Sequence, residues 1–253
     1  MIGIVGGVGP LAGVDLVRKI IEETPAAQDQ EHVQVILLSL PNLIPDRTEF
    51  LIGKEKINPG IPISKILLQL EKAGAIVAGI PCNTAHAPLI FDLIGTELHR
   101  CGSHIKVLHM IEETASFLIQ EGKYEKIGVL STTGTLRTGV YKTVLIKKGF
   151  EVLEMDHPED QNNVHQAVYD PIFGIKAVSS PVNQQARDIL INACYNLINR
   201  GAEAIILGCS EMSIALTGNF IGTCPLIDPT RILAKALLKY IPVQEYHNVS
   251  YHT

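Results

Sequence analysis

The sequence predicts an α/β fold in which two pseudo-symmetric lobes, each a mainly parallel sheet flanked by helices, face one another across a cleft. Short apolar, β-branched segments alternate with longer segments whose apolar residues recur at helical spacing, which is typical of parallel sheets with crossover helices. An internal repeat relates the two halves of the chain. The expected strands are residues 2–5, 33–38, 75–80, 106–109, 126–131, 204–207 and 225–227. The expected helices are residues 11–23, 63–73, 111–121, 140–148, 187–200 and 231–240.

The repeat consists of two pairs of matching segments. Residues 2–9 (IGIVGGVG) align with residues 127–134 (IGVLSTTG) at an offset of 125, and residues 74–82 (GAIVAGIPC) align with residues 201–209 (GAEAIILGC) at an offset of 127. Each half therefore begins with a strand and a turn of small residues, and later places a cysteine after a second buried strand. Because ligands bind at the carboxyl ends of parallel strands, we expect the site in the cleft between the lobes.

The composition and charge of the chain indicate what kind of molecule it binds. The chain has 253 residues, 46% of them hydrophobic, and a net charge of −5 with its basic residues scattered, so we expect a small-molecule ligand rather than nucleic acid or an anionic membrane. The longest apolar run, near residues 73–81, is far shorter than the roughly 20 residues of a membrane-spanning helix. No signal-peptide pattern opens the sequence, and we therefore expect a cytoplasmic protein.

The five cysteines have an odd count and no paired spacing, which argues against a disulfide framework, and the dispersed histidines form no metal-binding pattern. Cys82 and Cys209 differ from the others because they occupy the same position in the repeat, each before an expected helix start. One interpretation is a pair of buried structural cysteines. The other is a pair of proton-transferring groups on opposite faces of a ligand, as inversion at carbon requires. The shared position and the small polar residues that follow favour the second interpretation.

Two further features belong to the same sheet edge of the first lobe. The turn GGVGP at residues 6–10 loosely fits a dinucleotide fingerprint, but it also fits a loop where Gly9 lets the backbone approach a small carboxylate. The next strand lacks the acidic residue that a nicotinamide cofactor requires, which favours the carboxylate. Arg47 follows that strand on a loop, where it is either solvated or a bidentate clamp for a substrate carboxylate.

Four motifs now stand in order: GGVGP at 6–10, IPDRT at 44–48, PCNTAH at 81–86 and GCSE at 208–211. In these motifs, and over nearly its whole length, the chain resembles the aspartate/glutamate racemase family. The resemblance implies proton transfer at Cα by two cysteines without pyridoxal phosphate, any other cofactor or a metal. It also implies a homodimer with aspartate as the favoured substrate.

The resemblance also assigns roles to individual residues. Cys82 and Cys209 become the acid/base pair, and Arg47 binds the side-chain carboxylate. The family's second-lobe lysine corresponds to Lys176, which lies a few residues later than the family pattern, and Ser210 keeps the hydroxyl where the family often has threonine. The α-carboxylate would be held by Asn83, Thr84, Thr133, Gly134 and Thr135.

Domain boundaries follow from the repeat and the resemblance together. We expect residues 1–103 to form the first lobe and residues 104–222 the second. By the family's habit, a last helix at about residues 223–243 packs back on the first lobe, and residues 244–253 form a polar tail.

Three alternatives remain open at this point. Glutamate, hydantoin or broader amino-acid racemases share the thiol pair, which determines the reaction and not the side chain of the substrate. A non-catalytic carboxylate-binding protein would keep the cleft but would have no need of both cysteines. A nucleotide-dependent oxidoreductase would use the glycine-rich turn, and the missing acidic residue after the second strand argues against it.

Overall fold

The computed structural model describes residues 1–241, so the predicted polar tail at 244–253 lies outside the described residues. The first lobe is built on a four-stranded parallel sheet with strand order β2-β1-β3-β4. Its strands are β1 (Ile2–Gly6), β2 (Val35–Ser39), β3 (Val77–Gly79) and β4 (Lys106–Val107). The helices between them are α1 (Pro10–Glu23), α2 (Arg47–Leu51), α3 (Gly60–Lys72) and α4 (Pro88–Arg100), with 3-10 turns at Asp29–Glu31, Pro41–Leu43 and Asn83–His86.

The second lobe is built on a five-stranded sheet with strand order β6-β5-β7-β9-β8. β6, β5, β7 and β9 are parallel, and β8 is an antiparallel addition beside β9 at the edge of the sheet. The strands are β5 (Lys126–Leu130), β6 (Glu151–Leu153), β7 (Ala204–Leu207), β8 (Phe220–Ile221) and β9 (Cys224–Ile227). The remaining helices are α5 (Met110–Glu121), α6 (Thr133–Thr138), α7 (Val140–Lys147), α8 (Pro158–Tyr169), α9 (Gln184–Asn199), α10 (Ser210–Ala215) and α11 (Pro229–Leu238).

The two sheets have the same topology, which confirms the α/β prediction of two similar lobes. In each sheet the first strand of the lobe lies between the second and the third, and a further parallel strand, β4 or β9, lies on the other side of the third. The segments matched by the repeat are therefore equivalent strands: β1 corresponds to β5, and β3 corresponds to β7. In both lobes the chain reverses its direction of winding between these two strands, which is where open α/β sheets bind ligands.

Two long helices lie where the sequence pattern predicted no element. α4 begins with Pro88 and contains Gly95, but its buried residues Ile90, Ile94 and Leu98 are four positions apart, so its sequence does carry the helical pattern and the prediction missed it. The α8 sequence PEDQNNVHQAVY is predominantly polar and buries one narrow stripe against α9. Packing against a neighbouring helix stabilises both, α3 for α4 and α9 for α8. None of the helices within residues 1–241 is long and apolar enough to cross a membrane.

The ends of the lobes differ from the expected boundary. β4 pairs with β3, so the first sheet continues beyond residue 103. β9 pairs with β7, so the second sheet continues beyond residue 222. The helix α11 then leaves the second sheet and packs its apolar face on α1 and on the strands of the first sheet, where Leu233 and Leu237 are fully buried. The chain thus crosses between the lobes twice.

A buried ion cluster connects the start of α11 to α1 and α10. Lys19 of α1 is 1% exposed, and its ammonium group lies 2.5 Å from a carboxylate oxygen of Asp15 and 2.5 Å from one of Asp228. The same ammonium donates to the hydroxyl of Ser213 in α10 at 3.1 Å. One cation therefore neutralises two carboxylates and connects α1, α10 and the start of α11.

We predict that Lys19→Met destabilises the fold strongly. Removing the cation leaves two carboxylates facing each other in a buried region, and the loss of one partner of a buried ion pair typically costs about 3–5 kcal/mol. Lys235→Met is the matched control, because Lys235 is half exposed and pairs with Glu23 at 3.5 Å, an exposed geometry worth at most about 1 kcal/mol. Urea unfolding of both variants measures the difference. Similar losses for the two would contradict the prediction.

Candidate active site

The two repeated cysteines occupy equivalent places in the lobes. Cys82 lies just after β3 and precedes the 3-10 turn Asn83–His86, and Cys209 lies just after β7 and precedes α10. Both have extended backbones, with φ of −148° and −145°, and both stand at the N-cap position of the helical turn that follows. Cys82 is buried and Cys209 is partly exposed. The expected strand-to-helix placement of both cysteines is therefore what the structure shows.

The carboxyl ends of β3 and β7 meet across the cleft. Ser210, directly after Cys209, donates a hydrogen bond from its hydroxyl to the carbonyl of Pro81, directly before Cys82, at 3.0 Å. A second contact across the lobes joins the hydroxyls of Thr84 and Thr135 at 3.3 Å. All four hydrogen-bonding partners lie in one layer between the lobes, so the segments that carry the two cysteines come together at the space between the lobes.

Arg47 enters this space from the first residue of α2. Asp46 caps that helix by accepting from the backbone N–H of Glu49 at 2.9 Å, which fixes where Arg47 begins. The guanidinium is buried and donates to the carbonyls of Val8 at 2.6 Å and Pro45 at 3.4 Å, while its Nε has no partner. Burial opposes the charge, but interactions with Cys82 and Asp46 raise the pKa of Arg47 above its ordinary value. The arginine is therefore not solvated, as one interpretation of the sequence had it.

The side-chain amide of Asn83 lies in the same layer between the lobes. Its Oδ1 accepts a hydrogen bond of 2.6 Å from the hydroxyl of Tyr141, a fully buried residue of α7 in the other lobe. Its Nδ2 is buried and has no hydrogen-bond partner. Unpartnered buried N–H groups are unfavourable, so this amide is a natural donor for a ligand.

Two glycines let the lobes approach closely. A Cβ on Gly134, in the first turn of α6 after Thr133, would overlap the side chain of Thr48 in α2. Gly9 has a φ of +146°, and a Cβ there would lie 2.8 Å from a carboxylate oxygen of Glu211. The sequence suggested that Gly9 admits the carboxylate of a ligand, and in the structure the carboxylate against Gly9 is that of Glu211.

Glu211 is the site residue that the sequence analysis missed. One carboxylate oxygen accepts from the Cys209 thiol at 3.0 Å, and the other accepts from the ammonium of Lys176 at 2.8 Å. Burial raises the pKa of Cys209 well above its ordinary value, and the Glu211 charge raises it further, whereas Lys176 opposes the rise. The sequence signals for Glu211 were its place two residues after Cys209 and its position as the last residue of the GCSE motif.

Lys176 reaches the site although it is late in the family pattern. The loop after α8 folds back on the helix end, because Asp170 accepts from two backbone N–H groups of the loop and the Lys176 N–H donates to Val168. The ammonium then lies 5.1 Å from the centre of the Tyr169 ring. Burial lowers the pKa of Lys176, but the Glu211 carboxylate and smaller contributions from Tyr169 and Cys209 together raise it above the ordinary value.

The other cysteines lie away from this layer. Cys194 in α9 and Cys224 in β9 are buried in the core of the second lobe, and Cys101 is exposed after α4. Among residues 1–241, no group of three or more His, Cys, Asp or Glu side chains is placed to hold a metal ion.

Comparison with known proteins agrees with this arrangement. The family model described as Asp/Glu/Hydantoin racemase matches residues 5–237. The broad specificity amino-acid racemase RacX of Bacillus subtilis is 29% identical over 240 residues, which cover 93% of this chain and 96% of that protein.

Solved structures give the same family. The aspartate racemase of Picrophilus torridus superposes with a TM-score of 0.78 at 28% identity, covering 94% of this chain and 92% of that one. The glutamate racemase of Francisella tularensis in complex with D-glutamate has a TM-score of 0.66 at 18% identity, covers 98% and 83% respectively, and is similar in fold alone. The resemblance is thus confirmed: this chain belongs to the Asp/Glu/hydantoin racemase family.

Proposed function

We propose that this protein is a cofactor-independent amino-acid racemase that interconverts L- and D-aspartate, with Cys82 and Cys209 as its two proton-transferring residues. The hydrogen bond from Ser210 to the carbonyl of Pro81 carries the proposal, because it brings the residues flanking both cysteines to one point between the lobes. A planar carbanion formed there would have one thiol available to each face. Racemisation needs no more than this proton exchange.

The reaction balances without another reactant. The thiolate of one cysteine takes the Cα proton, the electron pair passes into the α-carboxylate, and the thiol of the other cysteine delivers a proton to the opposite face. The developing charge is stabilised by Asn83, Thr84 and the Thr133–Thr135 turn, which hold the α-carboxylate. Fixed donors of this kind act most strongly where water is excluded.

Unlike charges lie beside the two thiols. The Arg47 guanidinium interacts with Cys82, and the Glu211 carboxylate accepts from the Cys209 thiol. We propose that Glu211 keeps Cys209 protonated in the resting enzyme and relays its proton, and that Lys176 keeps Glu211 ionised. The raised pKa of Cys209 and the lowered pKa of Glu211 support this assignment. Gly9 has no side chain that would collide with this carboxylate, and Ser210 holds the start of α10 against Pro81 of the first lobe.

Aspartate is the substrate that the site favours. Arg47 is a buried cation with one unpartnered donor, and a second carboxylate on the substrate would pair with it. The similarity to an aspartate racemase supports the same choice. A broader amino-acid specificity is the second candidate, because Lys176 is already neutralised by Glu211 and a relative similar along its whole length has broad specificity.

Access to the site requires motion. Cys82, Arg47, Asn83 and Thr84 are each less than one tenth exposed. We infer that the lobes separate to admit substrate and close before proton transfer. The homodimer and the cytoplasmic location stay predictions of the sequence.

We expect purified protein, treated with a chelator and free of pyridoxal phosphate, to racemise aspartate. Chiral chromatography of a panel of L- and D-amino acids measures this, with glutamate and neutral amino acids as comparisons. Iodoacetamide should abolish the activity, and saturating aspartate should protect against it, because bound substrate covers both thiols. Turnover of neutral amino acids at rates equal to aspartate would establish the broad-specificity candidate. Aspartate binding without any turnover would contradict racemase function.

The two thiols should be separable by isotope exchange. By the family resemblance, Cys209 serves L-aspartate and Cys82 serves D-aspartate. In deuterated buffer, Cys82→Ala should exchange the Cα proton of L-aspartate alone and without inversion, and Cys209→Ala should exchange that of D-aspartate alone. Alanine is used because Glu211, 3.0 Å from the Cys209 sulfur, would activate a serine hydroxyl at that position. Proton NMR follows the exchange. Exchange of both enantiomers by either variant would disprove the assignment to faces.

Glu211→Gln should make Cys209 more reactive toward iodoacetamide. Removing the adjacent negative charge lowers the pKa of the thiol and increases the thiolate fraction, so alkylation at pH 8 should be about tenfold faster for each unit of pKa. Lys176→Met should slow alkylation, because it removes the neighbouring positive charge. Mass spectrometry quantifies Cys209 labelling against exposed Cys101 in the same sample. Glu211→Gln and Lys176→Met break the same ion pair. Faster alkylation of Cys209 in both variants would therefore indicate a loosened site and would contradict the predicted effect of charge.

A further inference from the structure

Tyr141 links the second lobe to a residue of the first lobe that neighbours a catalytic candidate. It lies in α7, is 1% exposed, and donates its hydroxyl to Oδ1 of Asn83 at 2.6 Å across the lobe boundary. We propose that Tyr141 is a positioning residue that fixes the orientation of the Asn83 amide so that Nδ2 faces the substrate. This inference rests on the proposed function, in which Asn83 holds the α-carboxylate.

The hydrogen bond selects one of the two amide orientations. Burial keeps the Tyr141 hydroxyl protonated by raising its pKa well above the ordinary value, so the phenol is available as a donor. The separation of 2.6 Å is typical of an O–H···O hydrogen bond and short for one donated by an amide N–H. Oδ1 therefore faces Tyr141, and Nδ2 must face the other way.

The orientation matters because Nδ2 is unpartnered. It is buried without an acceptor, although it lies one residue from Cys82 in the layer where the lobes meet. If the amide were reversed, an oxygen would face the incoming carboxylate and would repel it. A substrate carboxylate instead completes the hydrogen bonding that the protein leaves open at this atom.

Packing alone does not explain the hydroxyl. The Tyr141 ring lies in an apolar cluster with Ile111, Leu118, Val129 and Leu145, where a phenylalanine ring would fill the same space. The hydroxyl is the part that reaches the other lobe. It also makes the amide orientation depend on contact between the lobes, so the substrate-binding geometry is complete only when they are together.

A double-mutant cycle of Tyr141→Phe and Asn83→Ala tests the proposal. We expect Tyr141→Phe to lower kcat/KM for aspartate about tenfold, with a higher KM and a lower kcat, because the Asn83 amide holds the α-carboxylate in the substrate and stabilises the charge that develops on it. In the Asn83→Ala background, Tyr141→Phe should change kcat/KM less than about twofold, since residues that act through one another are not additive. The control is Tyr124→Phe, which removes a hydroxyl from another tyrosine of the same cluster and should leave kcat/KM unchanged.

Asn83→Asp provides a second variant that keeps the acceptor for Tyr141. It replaces Nδ2 by an oxygen, so it should raise KM more than Tyr141→Phe does. An increase no larger than that of Tyr141→Phe would overturn the proposal, as would additive effects in the cycle. If Asn83→Ala raises KM and Tyr141→Phe does not, the positioning role fails while the proposed function stands.

A crystal structure tests the positioning role of Tyr141 without relying on enzyme activity. If the wild-type protein does not racemise aspartate, the proposed function fails, and the crystal structure of Tyr141→Phe still tests the positioning role. At a resolution that distinguishes nitrogen from oxygen, the Asn83 amide should rotate or occupy two orientations. An amide that keeps its single orientation would overturn the proposal.

Discussion

The hydrogen bond between the Ser210 hydroxyl and the Pro81 carbonyl is the contact on which the arrangement of the site depends. Each lobe alone places one cysteine at the end of one strand. This bond and the Thr84–Thr135 contact hold the two strand ends together, so the residues next to both cysteines meet between the lobes. The absence of a side chain at Gly134 serves the same contact, because it lets α2 pack against α6.

The lobes are similar in topology but differ in the charges that they contribute. The first lobe places the Arg47 guanidinium beside Cys82, and the second places the Glu211 carboxylate against Cys209. A racemase has to treat two mirror-image substrates, yet each thiol must hold its proton at a different stage of the reaction. The Glu211 carboxylate raises the pKa of the Cys209 thiol beyond the effect of burial, so the two lobes give their cysteines different electrostatic surroundings.

Burial of these charges is possible because each one has a partner. Glu211 is held by Lys176, and Lys19 behind α10 is held by Asp15 and Asp228. Two of the buried polar atoms that have no hydrogen-bond partner, on Arg47 and Asn83, are at the places where we expect a carboxylate ligand. The substrate proposed for this site would supply acceptors for both.

Much of this protein could be predicted from the sequence because strand, turn and cysteine recur at nearly equal offsets in the two halves. The alternation of strand-like and helix-like segments indicates parallel sheets. A cysteine at the end of a buried strand in each half indicates a paired site. Both signals can be found from residue spacing along the chain. Local patterns could not predict α8, whose polar sequence becomes helical through packing on α9. They did predict the strands β4 and β9, but they could not show that these strands pair with β3 and β7 and so extend the two sheets beyond the expected boundaries. They also could not show that Glu211 joins Cys209 to Lys176, or that Tyr141 orients Asn83. Those contacts link side chains 35 and 58 residues apart, and only the folded chain decides which distant donor meets which acceptor.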